Sequence, residues 1–326
     1  MAEQARGTID TLVFAMMENS SFDHVFGSLS LIEGRTDVDG LTADHGNLDR
    51  DGQWVAPRPT DIPCVEPDPP HGWTSSRDCF GDADNGGFAT TFQDHYPDAD
   101  PSIPLSHHRR ADQLISYALA DQFVLCDRWF SSLMTSTWPN RLYMHAASSQ
   151  GMTGNSFPTG GRFTMTALWD RLDEAGISWA NYYTDLPTIA LFAREDWADR
   201  VHHIDAFYAD AAAGTLPQVV FVDPGAASND DHPPHHPMLG QLFISSVVDA
   251  LATGPHWERC LFALTYDEAG GFFDHVPPGL AEDELASEGF GQLGFRVPGL
   301  VVSPWVRPGS CSIDLEHASI PATVLR

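Results

Sequence analysis

The chain has 326 residues, 42% of them hydrophobic, which is enough to build a sizeable core and argues against global disorder. Its formal net charge of −28 argues against a nucleic-acid partner, because phosphate backbones are bound by basic surfaces. Such an acidic excess is typical of a solvated surface, although some of the carboxylates can instead gather around metal ions.

Apolar runs rich in β-branched or aromatic residues alternate along the chain with amphipathic stretches. The predicted strands are Thr11–Met17, Ile177–Tyr183, Gln218–Val222, Cys260–Tyr266 and Gly299–Ser303. The predicted helices are Ala111–Phe123, Thr164–Ala175 and Met238–Thr253. In the last of them an apolar residue recurs at every fourth position from Leu239 to Leu251. Strands that alternate with helices predict an α/β fold with a mostly parallel sheet.

Residues 34–110 break this rhythm, because they are rich in Asp, Gly, Pro and His and show little periodicity. A long segment without regular structure inside a compact domain is usually a functional cap or insertion. We therefore expect one domain over residues 1–326 that carries a loop-rich insertion at 34–110.

The sequence contains no run of about 18 apolar residues, so no transmembrane segment is predicted. One short apolar run, Thr11–Met17, lies between charged segments near the N-terminus, and no small-residue cleavage site follows it. The chain is therefore expected to be cytoplasmic, or secreted with its signal already removed.

None of the five cysteines forms a CxxC pair, which argues against a cysteine zinc site. Cys126 and Cys260 lie within apolar runs and are predicted to be buried packing residues. Cys64 and Cys79 lie in a loop-like region and are candidates for a disulfide in an oxidising compartment, and the alternative is that both stay free.

Acidic side chains follow two of the predicted strands, at the point where each strand ends. Glu18 and Asn19 come directly after the first predicted strand, and Asp267 and Glu268 directly after the fourth. In open parallel sheets ligands bind beyond the carboxyl ends of the strands, so these side chains can converge on one ion. Three carboxylates and an amide oxygen suit Mg²⁺, Ca²⁺ or Mn²⁺. The alternative is an ordinary turn after one strand and a helix cap after the other.

A second candidate feature lies just before a helix-like stretch, residues 141–149. The hydroxyl of Thr137 precedes Trp138 and Pro139, which places it near the N-terminus of that stretch. Helix N-termini attract phosphate through free N–H groups and the helix dipole. Because a threonine hydroxyl is a weak nucleophile, it would need metal coordination or a base. The alternative is a capped turn without a catalytic role.

Histidines are dense in the loop at 224–237, which contains three of them among prolines. A histidine titrates near neutral pH, so His232 is predicted to protonate a leaving alkoxide or to steady phosphoryl oxygens. His71 would supply a second donor from the insertion. The pairs His107–His108 and His202–His203 have no acidic strand-end neighbours and are expected at the surface.

Blocks of sequence that carry these candidates occur in a fixed order. They are Met17–Gly27 (MENSSFDHVFG), Thr137–Arg141 (TWPNR), Asn229–Pro234 (NDDHPP), Tyr266–Pro278 (YDEAGGFFDHVPP) and Glu316–Ser319 (EHAS). Together they resemble the phosphoesterase family, which contains bacterial phosphocholine-type phospholipases C, plant non-specific phospholipases C and related acid phosphatases. The resemblance runs from about residue 9 to the end of the chain.

The resemblance implies an alkaline-phosphatase-like α/β core and a metal-dependent phosphoester hydrolase. The divalent ion (Mg, Ca, Mn or Zn) would be held by Glu18, Asn19, Thr137, Asp267 and Glu268. Thr137 would also be the nucleophile that takes the phosphoryl group. His71 and His232 would contact substrate oxygens or act as the acid, and Asn140 would help to hold the phosphate.

The substrate is less closely defined than the reaction. A threonine nucleophile is more similar to the phospholipases C than to the serine-bearing acid phosphatases, so we expect cleavage of a small phosphodiester or of a phospholipid at its headgroup. The alternatives are an acid-phosphatase-type phosphomonoesterase on the same core and a non-catalytic, metal-stabilised binding protein. Trp54, Trp73 and Trp138 are candidates for an aromatic cage around a quaternary ammonium, or for core packing. Residues 85–88 lack the Lys-Met-Asp stretch that often stands there in the family, which leaves the substrate open.

Overall fold

Twelve strands and ten α-helices occur in the part of the chain that the computed structural model describes, residues 8–60, 64–192 and 194–326. The strands are β1 (Thr11–Met17), β2 (Asn47–Leu48), β3 (Trp54–Val55), β4 (Arg58–Pro59), β5 (Ser106–His107), β6 (Val124–Cys126), β7 (Trp179–Tyr183), β8 (Val201–His203), β9 (Val219–Asp223), β10 (Cys260–Tyr266), β11 (Gly299–Val302) and β12 (Gly309–Cys311). The helices are α1 (Phe22–Phe26), α2 (Ser28–Leu31), α3 (Trp73–Phe80), α4 (Phe88–His95), α5 (Leu114–Gln122), α6 (Thr137–Ala146), α7 (Leu168–Ala175), α8 (Ile204–Ala213), α9 (Pro237–Thr253) and α10 (Ser319–Val324).

Eight of the strands form one sheet in the order β12-β6-β11-β10-β1-β9-β7-β8. Every neighbouring pair is parallel except the two pairs that β11 makes, so β11 alone runs against the others. The α/β fold with a mostly parallel sheet is therefore confirmed. β1 and β10 pair in parallel over their whole length, from Thr11 opposite Cys260 to Met17 opposite Tyr266, so the two strands end level with each other.

The core lies on both faces of this sheet. Strands that are covered on both faces read as continuous apolar runs, and five of the seven residues of β1 are fully buried hydrophobic side chains.

The predicted bounds of β1 and β10 match the structure, and the other three predicted strands agree to within two residues at each end. One part of the helix prediction is wrong. Phe243, Val247 and Leu251 of α9 are buried, but Leu239, in the first turn of this helix, is 43% exposed.

The insertion contains more regular structure than its composition indicates. Helices α3 and α4 and the short strands β2 to β5 all lie within or at the end of residues 34–110, and loops connect these short elements. These elements are short and are held by specific side chains, which leave no periodic signal. For example, the Asn47 amide accepts from the Phe88 N–H at 2.8 Å and donates to the Asn85 carbonyl at 3.0 Å. The insertion has its own small core, which packs against Ala269 and Phe273 just beyond the end of β10.

The histidines at the end of the insertion are buried, contrary to the expectation that His107–His108 lie at the surface. The His108 N–H donates to the carbonyl of His24 at 2.7 Å, and the two imidazole rings lie 4.5 Å apart. Burial lowers the pKa of His108 to about 3, so it packs as a neutral ring. The second pair behaves as predicted in part, since His203 is exposed and His202 is half-buried.

The cysteines are free thiols. Cys126 and Cys260 are buried, as predicted. Cys79 is also buried and Cys64 is half-buried, and they form no disulfide with each other.

No helix in the described part of the chain is long and apolar enough to cross a membrane, which agrees with the sequence. The segment that precedes Thr8, on which part of the localisation expectation depends, lies outside the described residues.

A buried ionic network ties the insertion to the sheet. Arg296, which is fully buried, donates to Asp274 at 2.8 Å and to Asp23 at 3.2 Å. His275 contacts Asp23 through its Nδ1 at 2.7 Å and reaches Asp39 of the insertion through its Nε2 at 3.2 Å. Burial works against the charged form of His275, but the Asp23 carboxylate outweighs it and raises the His275 pKa. For Asp23 likewise, the contacts with His275 and Arg296 outweigh burial and lower its pKa.

This network predicts a pH-dependent contribution to stability. Because the folded-state pKa of His275 is raised, its stabilisation is fully present below the unfolded value of about 6.5 and is lost as pH rises through the folded value. His275→Gln should therefore lower the free energy of unfolding by about 2 kcal/mol near pH 6 and by less near pH 8.5, as measured by denaturant titration. His203→Gln, at an exposed histidine near Asp205, is the matched control. An equal loss at both pH values would contradict the ionic role of His275.

Candidate functional site

The ends of β1 and β10 are joined by a set of close backbone contacts. The Asn19 N–H donates to Asp267 Oδ1 at 3.2 Å, and the Asp267 N–H donates to the Met17 carbonyl at 3.0 Å. Asn19 adopts a left-handed backbone conformation with φ of 56°, which turns the chain sharply at the strand end. A Cβ at Gly270 would lie 2.4 Å from the Asn19 carbonyl oxygen, so only glycine permits this approach. The four predicted strand-end ligands therefore lie at one edge of the sheet.

Two oxygens of this set have no hydrogen-bond partner among the described residues although they are buried, namely Asn19 Oδ1 and Glu268 Oε1. The amide orientation of Asn19 follows from His71. His71 Nδ1 lies 2.7 Å from the Pro69 carbonyl and so carries the ring hydrogen, which leaves Nε2 to accept from Asn19 Nδ2 at 3.3 Å. A buried acceptor without a donor is costly unless a cation or water satisfies it. The residues therefore fit a divalent metal with oxygen ligands.

The electrostatics of the strand ends also favour a cation. Burial raises the pKa of Glu268 well above its ordinary value, and the neighbouring Asp267 carboxylate raises it further. Burial also raises the pKa of Asp267 and of Glu18, although Arg141 opposes the shift in both. Carboxylates crowded in this way are stabilised in their charged form by a bound positive ion.

Arg141 supplies one fixed positive charge to this edge, a role that the sequence analysis missed. Its buried guanidinium donates to Glu18 Oε1 at 3.0 Å, to Asp267 Oδ2 at 3.3 Å and to the carbonyls of Met16 and Met17. It is the fourth residue after Thr137 in α6, so the two side chains share one face of the helix. That spacing is the signal by which the sequence could have predicted it.

A cavity of about 220 Å³ opens at the N-terminus of α6. Glu18, Thr137 and Arg141 line it together with Asp223, which ends β9. The remaining wall is mostly apolar and consists of Trp138, Phe157, Leu186, Pro187, Thr188, Ala190, Leu191, Pro224 and Ala226. The predicted nucleophile therefore shares a cavity with one of the predicted metal ligands. Helix α6 begins at Thr137, four residues earlier than the helix-like stretch predicted at 141–149.

The Asn140 side chain contacts the loop before Thr137. Its Oδ1 accepts from the Leu133 N–H at 2.8 Å, and its Nδ2 donates to the carbonyls of Leu133, Thr135 and Ser136 at 2.9 to 3.2 Å. Both amide hydrogens are used in these contacts, and the residue is fully buried. In this arrangement Asn140 shapes the loop that presents Thr137, and the expectation that it helps to hold the phosphate stays a prediction.

The four strand-end ligands, Glu18, Asn19, Asp267 and Glu268, are called the metal cradle below. His71 approaches this cradle from the insertion, and His232 approaches it from the loop after β9. Their rings lie 6.0 Å apart, and His71 Nε2 is 3.7 Å from Glu268 Oε1. His232 Nδ1 donates to the Pro233 carbonyl at 2.6 Å, which leaves its Nε2 free to meet a ligand. Burial opposes protonation of His232, but the hydrogen bond to Pro233 and the negative charges of Asp68 and Glu18 raise its pKa. Asp68, which sequence analysis missed, lies with both histidines in a group close enough to hold a metal ion.

Comparison with known proteins assigns the chain to a family. The model of the phosphoesterase family matches residues 9–326. The chain belongs to the phosphoesterase family. Non-specific phospholipase C1 of Arabidopsis thaliana is 33% identical over 364 residues, covering 98% of this chain and 67% of that protein. Phospholipase C A of Mycobacterium tuberculosis is 30% identical over 377 residues, covering 95% of this chain and 71% of that protein. A Vibrio parahaemolyticus crystal structure from the alkaline phosphatase superfamily aligns at 10% identity with a TM-score of 0.48, over 98% of this chain and 66% of that one.

The phosphoesterase is accordingly a phosphoric ester hydrolase, and its family blocks meet at one edge of the sheet. The last block contributes His317, which donates through Nε2 to the Asp267 carbonyl at 2.7 Å and accepts from the Trp129 indole at 3.4 Å. Burial lowers the pKa of His317 to about 4, so it is a neutral positioning group behind the cradle. The Ser132 hydroxyl donates to Glu316 and accepts from the His317 N–H, which links this block to the loop before Thr137.

The proposed tryptophan cage is not formed in the phosphoesterase. Trp138 lines the cavity, but Trp54 is 55% exposed in the insertion and makes no part of it. Trp73 packs instead on Phe290 and carries the guanidinium of Arg77 on its ring, 3.3 Å from the ring centroid. The three rings therefore do not surround one quaternary ammonium, and Trp73 takes the packing role that the sequence also allowed.

The assignment of Asn140 as a positioning residue makes a prediction about stability. Asn140→Ala removes the hydrogen-bond partners of several buried backbone groups and should lower the free energy of unfolding by about 3 kcal/mol in denaturant titration. Asn155→Ala is the matched control, because Asn155 makes one contact with the Trp138 N–H at 2.8 Å at the same end of α6. It should cost about 1 kcal/mol or less. Unchanged stability of Asn140→Ala together with a raised KM would instead indicate direct contact with the phosphate.

Proposed function

We propose that this phosphoesterase is a metal-dependent hydrolase of the phospholipase C type, which cleaves a phosphodiester through a phospho-threonine at Thr137. The observation that carries the proposal is the shared cavity of Thr137, Glu18 and Arg141, with Arg141 joining Glu18 to Asp267. This arrangement supports a nucleophile placed directly beside the metal cradle. The names of the relatives, two of them phospholipases C at about 30% identity, support the same reading.

The chemistry would proceed by displacement at phosphorus. Thr137 Oγ1 forms a bond to phosphorus while the bond to the leaving alcohol breaks, and water then cleaves the phospho-threonine. Thr137 is the first residue of α6, so the positive end of the helix dipole favours negative charge that develops on the phosphoryl oxygens. A divalent ion held by Glu18, Asn19, Asp267 and Glu268, with Thr137, would lower the pKa of the hydroxyl and neutralise phosphoryl charge.

His232 is the group best suited to protonate the leaving alkoxide. Its pKa is raised, so the imidazolium is present at a higher pH than for an ordinary histidine, and Nε2 carries the proton to be given up. His71 has its Nδ1 fixed by the Pro69 carbonyl, and its Nε2 accepts from the Asn19 amide, so it supports the orientation of that amide.

The walls of the cavity favour a diester with an apolar substituent. Besides Arg141, the lining carries only the acidic groups Glu18 and Asp223, and Asp223 is already satisfied by Asn181 and Thr188. The apolar remainder suits the alcohol part of a phospholipid better than a second phosphate charge. An acid-phosphatase-type phosphomonoesterase on the same core is the alternative, and substrate preference decides between them. A non-catalytic binding protein would need neither the placed Thr137 nor His232.

The nucleophile is tested by two substitutions at one position. Thr137→Ala should lower kcat by at least 10³-fold on bis(4-nitrophenyl) phosphate and on short-chain phosphatidylcholine, whereas Thr137→Ser should keep measurable turnover. A peptide that carries the covalent adduct at residue 137 (4-nitrophenyl phosphate from the first substrate, phosphocholine from the second), trapped by acid quench, should appear in the active protein and not in Thr137→Ala. More than a few per cent of activity in Thr137→Ala would rule out this nucleophile. Faster turnover of 4-nitrophenyl phosphate than of both diesters would favour the phosphomonoesterase.

The cradle is tested by metal content and stability together. Asp267→Asn with Glu268→Gln should reduce bound metal in elemental analysis and remove the rise in melting temperature that added metal gives the unaltered protein. The physical reason is that a ligand at 100 times its Kd stabilises the folded state by about 2.7 kcal/mol. Asp249→Asn, at an exposed position on α9, is the control. Unchanged metal stoichiometry in the double variant would exclude this cradle.

A further inference from the structure

Two of the five cysteines lie opposite each other near the far edge of the sheet. Edge strand β12 pairs in parallel with β6, and the register places Cys311 directly opposite Cys126. Neighbouring strands are about 4.8 Å apart and register partners project to the same face, which falls within the Cα separation of roughly 4.4 to 6.8 Å that disulfides span. The neighbouring Cys311 thiol adds to the effect of burial in raising the pKa of Cys126. No other cysteine has this arrangement in the described residues, since Cys64 and Cys79 are close in sequence but do not pair in register.

The two thiols differ in access. Cys311 is partly exposed on the edge strand, whereas Cys126 is 1% exposed beneath it. Burial raises the pKa of Cys126 to about 12, so it is seldom a thiolate and is a slow attacker by itself. An external reagent therefore meets Cys311 first, and Cys126 is placed to resolve the product.

The segment after β6, residues 127–136, is the loop that precedes the proposed nucleophile Thr137, and the segment after β12 packs against it. β6 leads through residues 127–136 to Thr137, and β12 leads through 312–316 to His317. The two segments are joined by backbone hydrogen bonds from Phe130 to the Leu315 carbonyl at 2.8 Å and from Leu315 to the Arg128 carbonyl at 2.9 Å. Because β12 has β6 as its one neighbour in the sheet, the junction at Cys126 and Cys311 anchors the start of this ladder.

We propose that Cys126 and Cys311 form a reversible disulfide in an oxidising environment, which fastens edge strand β12 to β6 behind the Thr137 loop. A small-molecule disulfide is the oxidant. The Cys311 thiolate attacks one of its sulfurs and expels one thiolate, which gives a mixed disulfide. The Cys126 thiolate then attacks the Cys311 sulfur and expels the second thiolate. Two protein thiols are oxidised, and one small disulfide is reduced to two small thiols.

The test is the oxidation of the full chain with glutathione disulfide, followed by acid quench, alkylation under denaturing conditions and peptide mass mapping. We expect the number of titratable thiols to fall from five to three, with a cross-linked peptide that contains Cys126 and Cys311. Dithiothreitol should restore all five. The proposal is overturned if five thiols remain, if Cys311 stops at the glutathione adduct, or if the cross-link joins another pair.

A matched set of variants separates the bond from general effects of oxidation. Oxidation should raise the melting temperature of the unaltered protein by roughly 5 °C, because a cross-link between distant positions restricts the unfolded chain. The same treatment should leave the melting temperature of Cys311→Ser unchanged, while Cys64→Ser should behave as the unaltered protein. Cys311 is partly exposed, so Cys311→Ser keeps the test valid even if the buried substitution Cys126→Ser prevents folding. A shift that persists in Cys311→Ser would exclude the Cys126–Cys311 bond as its cause.

Discussion

The parallel pairing of β1 with β10 brings like charges together at one edge of the sheet. Because the strands end level, Glu18 and Asn19 lie beside Asp267 and Glu268, and three of these four side chains are carboxylates. Burying them costs free energy unless each finds a counter-charge or a donor. The apolar strands that make the sheet stable thus bring carboxylates together at their ends, and these carboxylates require nearby positive charge.

Arg141 supplies part of this positive charge. One guanidinium contacts two carboxylates, Glu18 and Asp267, while Glu268 has no arginine partner and keeps one oxygen without a donor in the described residues. Three negative charges against one positive charge leave the cradle negative, and a divalent ion would bring it close to balance. The same helix that delivers Arg141 begins at Thr137, so the counter-charge and the proposed nucleophile are positioned by one element. Removing Arg141 would therefore disturb both the cradle and the cavity.

The sequence predicted the parts of the site that lie at strand ends more closely than the burial and packing of the polar side chains around them. A buried strand is visible in the sequence as an apolar run, and the residues that follow the run lie at its carboxyl end. The sequence alone therefore predicted the position of Glu18 and Asp267 at the edge of the sheet. His108 was expected at the surface and is buried, because a polar side chain in the sequence looks the same whether it meets solvent or packs inside the protein. The helices of the insertion were missed for a related reason. They are eight residues long and packed on a separate small core, and such short elements show little periodicity.

The charge of the protein and the charge of its substrate also have to be reconciled. A chain with a net charge of −28 repels anions at long range, so attraction to a phosphoester has to arise locally. The local sources are the guanidinium of Arg141, the N-terminus of α6, a protonated His232 and the proposed metal ion. A phosphodiester carries one negative charge and two substituents, whereas a phosphomonoester approaches two charges near neutral pH. The long-range repulsion is smaller for the diester, and the apolar wall of the cavity can contact one of its substituents. Electrostatics and cavity shape therefore favour the same class of substrate.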